Sequence, residues 1–321
     1  MAAKKARSKK KSRAKPRSKA KPKTKSRSKA KPKSKSKART KSRSKAKSKK
    51  ARRPIARRTR STARAAPFAE AAAPLSAGLD RIVQIAQVSA IARHNWPGRG
   101  VAPRGYIKGM ALVFARALCK LSAGDPAAIE MAKANTGDPQ RDALAHYSDE
   151  FRRAGMRIDV SGPDTLRHLF VLLIGLGMRE SSGKHCEGRD RSASNTTAET
   201  CEAGAFQASF NARSASPLMP RLFTHYSANP SGFVDVFREG VRCSAASLEN
   251  FGTGPGRDFQ QLSKECPAFA AEFAAVGLRN IRRHWGPITR KEAQIHPDCN
   301  AMLVAVQRAV DTSSGICAEL A

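Results

Sequence analysis

The stretch Leu166 to Met178 limits what this chain can fold into more than any other. Leu166, Leu169, Phe170, Val171, Leu172, Leu173, Ile174, Leu176 and Met178 cover every side of a helix, and a helix that is apolar all round has to be surrounded by other elements. Ser161-Gly162-Pro163-Asp164 opens it with a capping residue, a first-turn proline and an acid at the positive end of the dipole. The apolar run is shorter than the roughly 20 residues of a membrane span and contains His168, so no transmembrane helix is expected. The run ends at Arg179-Glu180. A carboxyl there faces the negative pole of the helix dipole in apolar surroundings, and both effects raise its pKa. A general acid working near neutral pH needs that shift.

The surrounding elements read as helices. Leu79, Ile82, Val83, Ala86 and Ala90 share one face of a helix ending by Trp96-Pro97-Gly98. Ile107, Met110, Phe114, Ala117, Leu118 and Leu121 mark a second, opened after Pro103-Arg104-Gly105 and closed before Gly124-Asp125-Pro126. Others are expected over 126–134, 139–154, 217–227, 233–239, 267–284 and around Met302 to Val310. Between Ser181 and Ala215 the helical pattern lapses into polar, small residues that suit a loop or short hairpin. The fold class is therefore mainly α with a small β or irregular insertion.

The first 64 residues obey a different rule. They hold 32 of the 61 Lys and Arg and no acid, leaving 29 bases against 25 acids in the rest of the chain, although the whole carries +36. Near-repeats such as Arg17-Ser18-Lys19-Ala20-Lys21-Pro22-Lys23 have nothing to bury, which predicts a disordered tail over 1–64 and a linker over 65–78. The tail resembles the lysine-rich tails of linker-histone-like proteins. Lys21, Lys23, Lys31 and Lys33 are its representative polyanion-binding positions, with DNA or an anionic wall polymer as partner through counterion release. No continuous apolar segment of about 7–15 residues follows the basic start, so no signal peptide is visible.

Six of the seven cysteines follow Glu180, which fits disulfides in an exported domain; free buried thiols are the alternative. Cys186 with Cys201 and Cys266 with Cys299 are the expected pairs, leaving Cys119 over. No Cys-x-x-Cys or His-x-x-x-His spacing signals a structural zinc site, and no metal or cofactor is expected. Phe251 to Gly256 looks superficially like a phosphate loop but lacks the lysine and the preceding strand. Asn195-Thr196-Thr197 matches a short glycosylation motif.

Glu180-Ser181-Ser182 at the end of a buried helix, followed by Glu202-Ala203-Gly204-Ala205-Phe206-Gln207-Ala208-Ser209, resembles two motifs of soluble lytic transglycosylases and goose-type lysozymes. The resemblance implies a lysozyme-like α+β domain over 161–321, preceded by a helical region over 79–160. It implies that Glu180 is the catalytic acid and later base, that Ser181 helps to orient that carboxyl or its substrate, and that Gly204 and Gln207 line a sugar cleft. The third motif of that superfamily is not recognisable; Tyr226 or Asn250-Phe251 could replace it. Glu187, Asp190, Glu199 and Glu202 compete for the role of a second carboxylate, with Asp190 foremost because its polar turn would keep it ionised. Arg179 and Arg189 could hold a substrate carboxylate or pair with these acids, and His185 reads as a loop residue.

The leading expectation is an enzyme that cleaves the β-1,4 glycan of peptidoglycan by hydrolysis or transglycosylation, outside the cytoplasm. Alternatives are a lysozyme-like domain that binds glycans without cutting them, a purely structural Glu180 and Gln207, and a cytoplasmic or nucleoid-associated polyanion-binding protein that acts through its tail.

Overall fold

The computed structural model describes residues 75–191, 197–313 and 315–320. The basic tail with Lys21, Lys23, Lys31 and Lys33, the linker up to residue 74, and Asn195 lie outside the described residues. What is described is mainly α. The first helix, α1 (Ala77–Val88), ends earlier than its periodicity suggests, because the Ser89 hydroxyl caps the Ala86 carbonyl at 2.6 Å. A 3-10 turn follows, then an antiparallel hairpin of β1 (Asn95–Trp96) and β2 (Gly100–Val101), with Asn95 opposite Val101 and Trp96 opposite Gly100. Pro97-Gly98 thus forms a hairpin turn instead of closing a helix. Among the described residues between Ser181 and Ala215, where a loop or short hairpin is expected, the β structure is one isolated bridge, Ala203 with Ala208.

Next come α2 (Arg104–Ser122), α3 (Pro126–Ala132), α4 (Ala143–His146) and α5 (Ser148–Arg153). The single helix expected over 139–154 breaks at Tyr147, and Asp142, capping Leu144 N–H at 2.9 Å, starts the first piece. Asp142 is fully buried and also takes both Nε and Nη2 of Arg279 at 3.0 Å each, a paired charge that ties α4 to a helix far along the chain.

The central helix, α6 (Pro163–Ser181), is buried from Thr165 to Met178. Its N-cap is Gly162, not Ser161; the Ser161 hydroxyl accepts the Ala134 N–H at 2.8 Å instead. Two polar residues on this buried helix are satisfied inside the fold. His168 Nδ1 donates to the Arg157 carbonyl at 2.6 Å, and Arg167 pairs with Asp164 at 2.7 Å. Gly177 allows α2 to come in close: a Cβ there would sit 2.2 Å from the Tyr106 hydroxyl, which donates to the Ile174 carbonyl at 2.9 Å.

The remaining elements are α7 (Leu218–Ala228), α8 (Val234–Phe237), α9 (Ala245–Leu248), α10 (Pro255–Glu265), α11 (Pro267–Asn280), α12 (Gly286–Thr289), α13 (Pro297–Asp311) and α14 (Ile316–Leu320). Around α6 are packed α2 and α3 from before it and α11, α12 and α13 from after it, so helices on both sides of residue 160 share one core. Phe259, Phe269 and Phe273 of α10 and α11 fill a second part of that core with tilted and edge-on ring contacts. Among the described residues no helix is long and apolar enough to cross a membrane.

The cysteines pair otherwise than expected. Cys119 joins Cys317, and Cys186 joins Cys243, while Cys201, Cys266 and Cys299 are buried thiols. Cys186 is near Cys201 in sequence, but the chain after Gly240 folds back over the 183–190 segment and brings Cys243 to it. Cys119 finds its partner because α14 packs on α2.

Candidate active site

Glu180 is the penultimate residue of α6, and the helix stops sharply after it. Ser182 turns into the left-handed region at φ 56°, and the Gly183 N–H reaches back to the Gly177 carbonyl at 3.1 Å. The Ser181 side chain points the other way, into the protein. Its hydroxyl lies 3.0 Å from the Gly177 carbonyl and 2.8 Å from the Ala205 carbonyl. The next carbonyl, Phe206, accepts from the buried indole Nε1 of Trp285 at 2.8 Å. The Gly204 N–H donates to Glu187 at 2.9 Å. These three bonds fix the 203–208 segment against the end of α6, so the two sequence motifs meet in space.

The roles inside that segment differ from those the resemblance implies. Gly204 is buried at φ 77°, and a Cβ would stand 2.6 Å from the Ser263 carbonyl oxygen, so its missing side chain makes room for protein backbone and not for a sugar. Gln207, at φ 46°, is buried too, and its Nε2 donates to the Gly204 carbonyl at 3.0 Å. It braces the turn from within. Tyr226 is corrected outright as a cleft residue: it is 1% exposed, and its hydroxyl accepts from Lys120, which also binds both oxygens of the fully buried Glu272 at 2.9 and 2.7 Å. Phe251 fares differently, since the Arg189 guanidinium stacks 4.1 Å above its ring beside the Glu187 to Asp190 turn.

Glu180 is half-buried, and its carboxyl is pushed up to about 8, first by burial and then by the neighbouring carboxylate of Glu202. Arg99 and Arg290 pull in the opposite direction without cancelling the rise. Glu202 is itself raised to about 7 by burial and by Asp190. Of the carboxylates that act on Glu180, Glu202 has the larger effect and Glu292 the smaller. Asp190, the foremost sequence choice, is exposed and acts on Glu202 instead. Among the described residues, Glu180 takes part in no hydrogen bond or ion pair that would use up its carboxyl.

A cleft of about 230 Å³, lined by Met178 and Arg179 from the end of α6, opens between the hairpin and the chain after α12. Trp96, Pro97 and Arg99 form one wall, Met178 and Arg179 the floor, and Glu292 and Gln294 the other wall. Arg179 Nε and Arg290 Nε each bind Glu292, at 3.0 and 2.8 Å, and hold its carboxyl well below the usual carboxylate range. The cleft thus contains an ionised carboxylate and the cations Arg99 and Arg179, and two of its residues, Arg99 and Glu292, act electrostatically on the Glu180 carboxyl, which keeps its proton. Chemically this can deliver one proton to a bound oxygen and stabilise positive charge developing nearby.

Arg99, Arg290 and Glu292 carry no signal in the sequence because each comes from a segment with no motif, and Trp285 reads there only as apolar content at the end of the helix expected over 267–284. The only hint was Trp96-Pro97-Gly98, which reads as a turn of some kind. No protein-family model matches this chain, and no curated protein or solved structure matches it either.

Proposed function

We propose that this chain is a glycan-cleaving enzyme acting on the β-1,4-linked backbone of peptidoglycan, with Glu180 as general acid and then base. The observation that carries the proposal is a single one: a half-buried carboxyl pushed up to about 8 by burial and by the neighbouring Glu202, next in sequence to Met178 and Arg179, which line a cleft. Glu180 donates its proton to the glycosidic oxygen as the bond to the anomeric carbon breaks. The ionised form then takes a proton from water, giving hydrolysis, or from a hydroxyl of the same sugar, giving transglycosylation. Glu202, in its ionised form, keeps the proton on Glu180 by like-charge repulsion before the step and stabilises the oxocarbenium-like charge as it develops. The choice of peptidoglycan rests on the resemblance of the Glu180-Ser181 and Gly204 to Gln207 motifs, and the two disulfides fit a site of action in an oxidising compartment.

The test is direct. Purified protein clears a peptidoglycan suspension, and Glu180→Gln abolishes clearing while the helical circular dichroism stays unchanged; equal clearing by the variant removes the assignment. Mass analysis of the products separates hydrolysed from anhydro sugars.

A second reading is favoured by the acid-free run of 32 bases in residues 1–64. The tail binds DNA or an anionic wall polymer, either as the main function or to hold the catalytic domain on its substrate. Deleting residues 1–64 then removes salt-sensitive binding to these polymers; undiminished affinity at low salt makes the tail a spacer.

A further inference from the structure

A second cluster of reactive side chains lies just past the end of α6. The Nε2 of His185 and the sulfurs of Cys186 and Cys243 all lie within 4.8 Å of one another, with His185 and Cys186 buried and Cys243 half-buried. Behind the imidazole, Nδ1 sits 2.9 Å from the Lys264 carbonyl. A carbonyl only accepts, so this bond keeps the proton on Nδ1 and turns the Nε2 lone pair towards Cys243 Sγ, 3.8 Å away. An imidazole oriented from behind by a carbonyl, its free nitrogen facing soft donors, is how proteins prepare histidine to bind a metal.

Cys186 and Cys243 are joined here, and a disulfide has no thiolate to offer. Reduction by a thiol-class reductant puts two electrons into the S–S bond. The reductant leaves as its own disulfide, and each cysteine takes up a proton. The geometry points to a second state of this cluster, in which the two reduced cysteines and His185 Nε2 bind one Zn²⁺, with water as fourth ligand. Each thiol gives up its proton as its sulfur–zinc bond forms, so two thiolates balance the dication. Bond lengths of about 2.3 Å to sulfur and about 2.0 Å to nitrogen at tetrahedral angles put donor atoms about 3.5–3.8 Å apart. The Cys243 to His185 distance already meets that spacing, so what has to move is chiefly the Cys186 sulfur, away from Cys243 and into place beside the imidazole. Two thiolates and an imidazole select zinc over magnesium or calcium.

Spacing rules could not reveal this site, because Cys186 and Cys243 are 57 residues apart. Disulfide and zinc hold together the same two segments, 183–187 and the chain just before α9. One operates in oxidising surroundings and the other in reducing ones. The loop that follows Glu180 is therefore braced on both sides of a membrane. This inference does not depend on the glycan reading.

The experiment uses the full chain, reduced with a phosphine under argon and freed of excess reductant. Zn²⁺ is titrated against a chromophoric chelator, and Co²⁺ serves as the optical probe. One Zn²⁺ per chain is expected in the reduced protein and none in the oxidised one. Co²⁺ should show sulfur-to-metal charge transfer and the visible bands of a tetrahedral site. His185→Gln weakens binding by about tenfold or more, whereas a Cys119→Ser, Cys317→Ser chain binds like the reduced wild type. Three results would overturn the site: equal binding by oxidised protein, no binding by reduced protein, or unchanged stoichiometry in a Cys186→Ser, Cys243→Ser chain. Loss of helix on reduction that Zn²⁺ fails to restore would overturn it equally.

Discussion

The hydroxyl of Ser181 lies 2.8 Å from the carbonyl of Ala205, one residue after Glu180 on one side and three after Glu202 on the other. This bond ties the end of α6 to the segment that follows Glu202, the carboxylate whose charge helps to keep a proton on Glu180. Ser181→Ala leaves a buried carbonyl without its donor and should lower stability by about 1–3 kcal/mol. Urea unfolding checks the loss. Clearing should fall by more than the unfolded fraction explains, because the Glu180–Glu202 spacing relaxes.

The pH profile tests which carboxyl presses on Glu180. Clearing needs the protonated acid, so its rate should fall as pH rises through about 8. Glu202→Gln removes the like charge and should move that fall to lower pH, whereas Asp190→Asn should move it much less. A rate profile for the three proteins decides between the two carboxylates.

Stability should vary with pH through the same proton. In the unfolded chain Glu180 ionises near the ordinary carboxylate value of 4.5, but in the fold it holds its proton to about 8. The native state binds more protons across that window, so wild-type stability declines from pH 4.5 to 8 and levels off above. Glu180→Gln escapes the decline and should exceed the wild type by about 2–4 kcal/mol at pH 9, while matching it more closely at pH 4. Denaturant midpoints at the two pH values measure the difference.

Removing Asp142 should damage the fold most. Asp142→Ala strips the partner from a nearly fully buried Arg279 and the cap from α4, for a loss of about 3–5 kcal/mol. Thermal unfolding followed by circular dichroism would register it. Gly204→Ala is the corresponding test near the site: positive φ and the Ser263 carbonyl both oppose a methyl group, and a variant as stable as wild type would show that the 203–208 segment can shift freely.

Periodicity in the sequence located α2, α6, α11 and α13 well, because each buries a continuous apolar stripe or a whole surface. It missed α10, whose polar residues Arg257, Asp258, Gln261, Lys264 and Glu265 hide the few apolar positions that pack. The break at Tyr147 and the hairpin at Trp96 depend on capping and tertiary contacts that no short window contains. At the candidate site, Glu180 stood out because a carboxyl at the end of an apolar helix is unusual. Glu202 was legible only as one of four acids, since its rise comes from proximity to Asp190 and from burial. Tyr226, as an isolated tyrosine, gives no sign in the sequence of whether its hydroxyl meets a sugar or, as here, the half-buried Lys120.

The link between Cys119 and Cys317, 198 positions apart, makes the greater part of this chain a closed ring. Its chain-entropy contribution is about 5 kcal/mol for a loop of that size. A protease that cuts one peptide bond anywhere between these cysteines leaves a single covalent molecule, with both pieces still tethered on the same core. A second cut within the ring, or reduction of that bond after a cut outside the span that Cys186–Cys243 also closes, is needed to set a fragment of the ring free, so a chain built this way can be nicked and still hold its parts together.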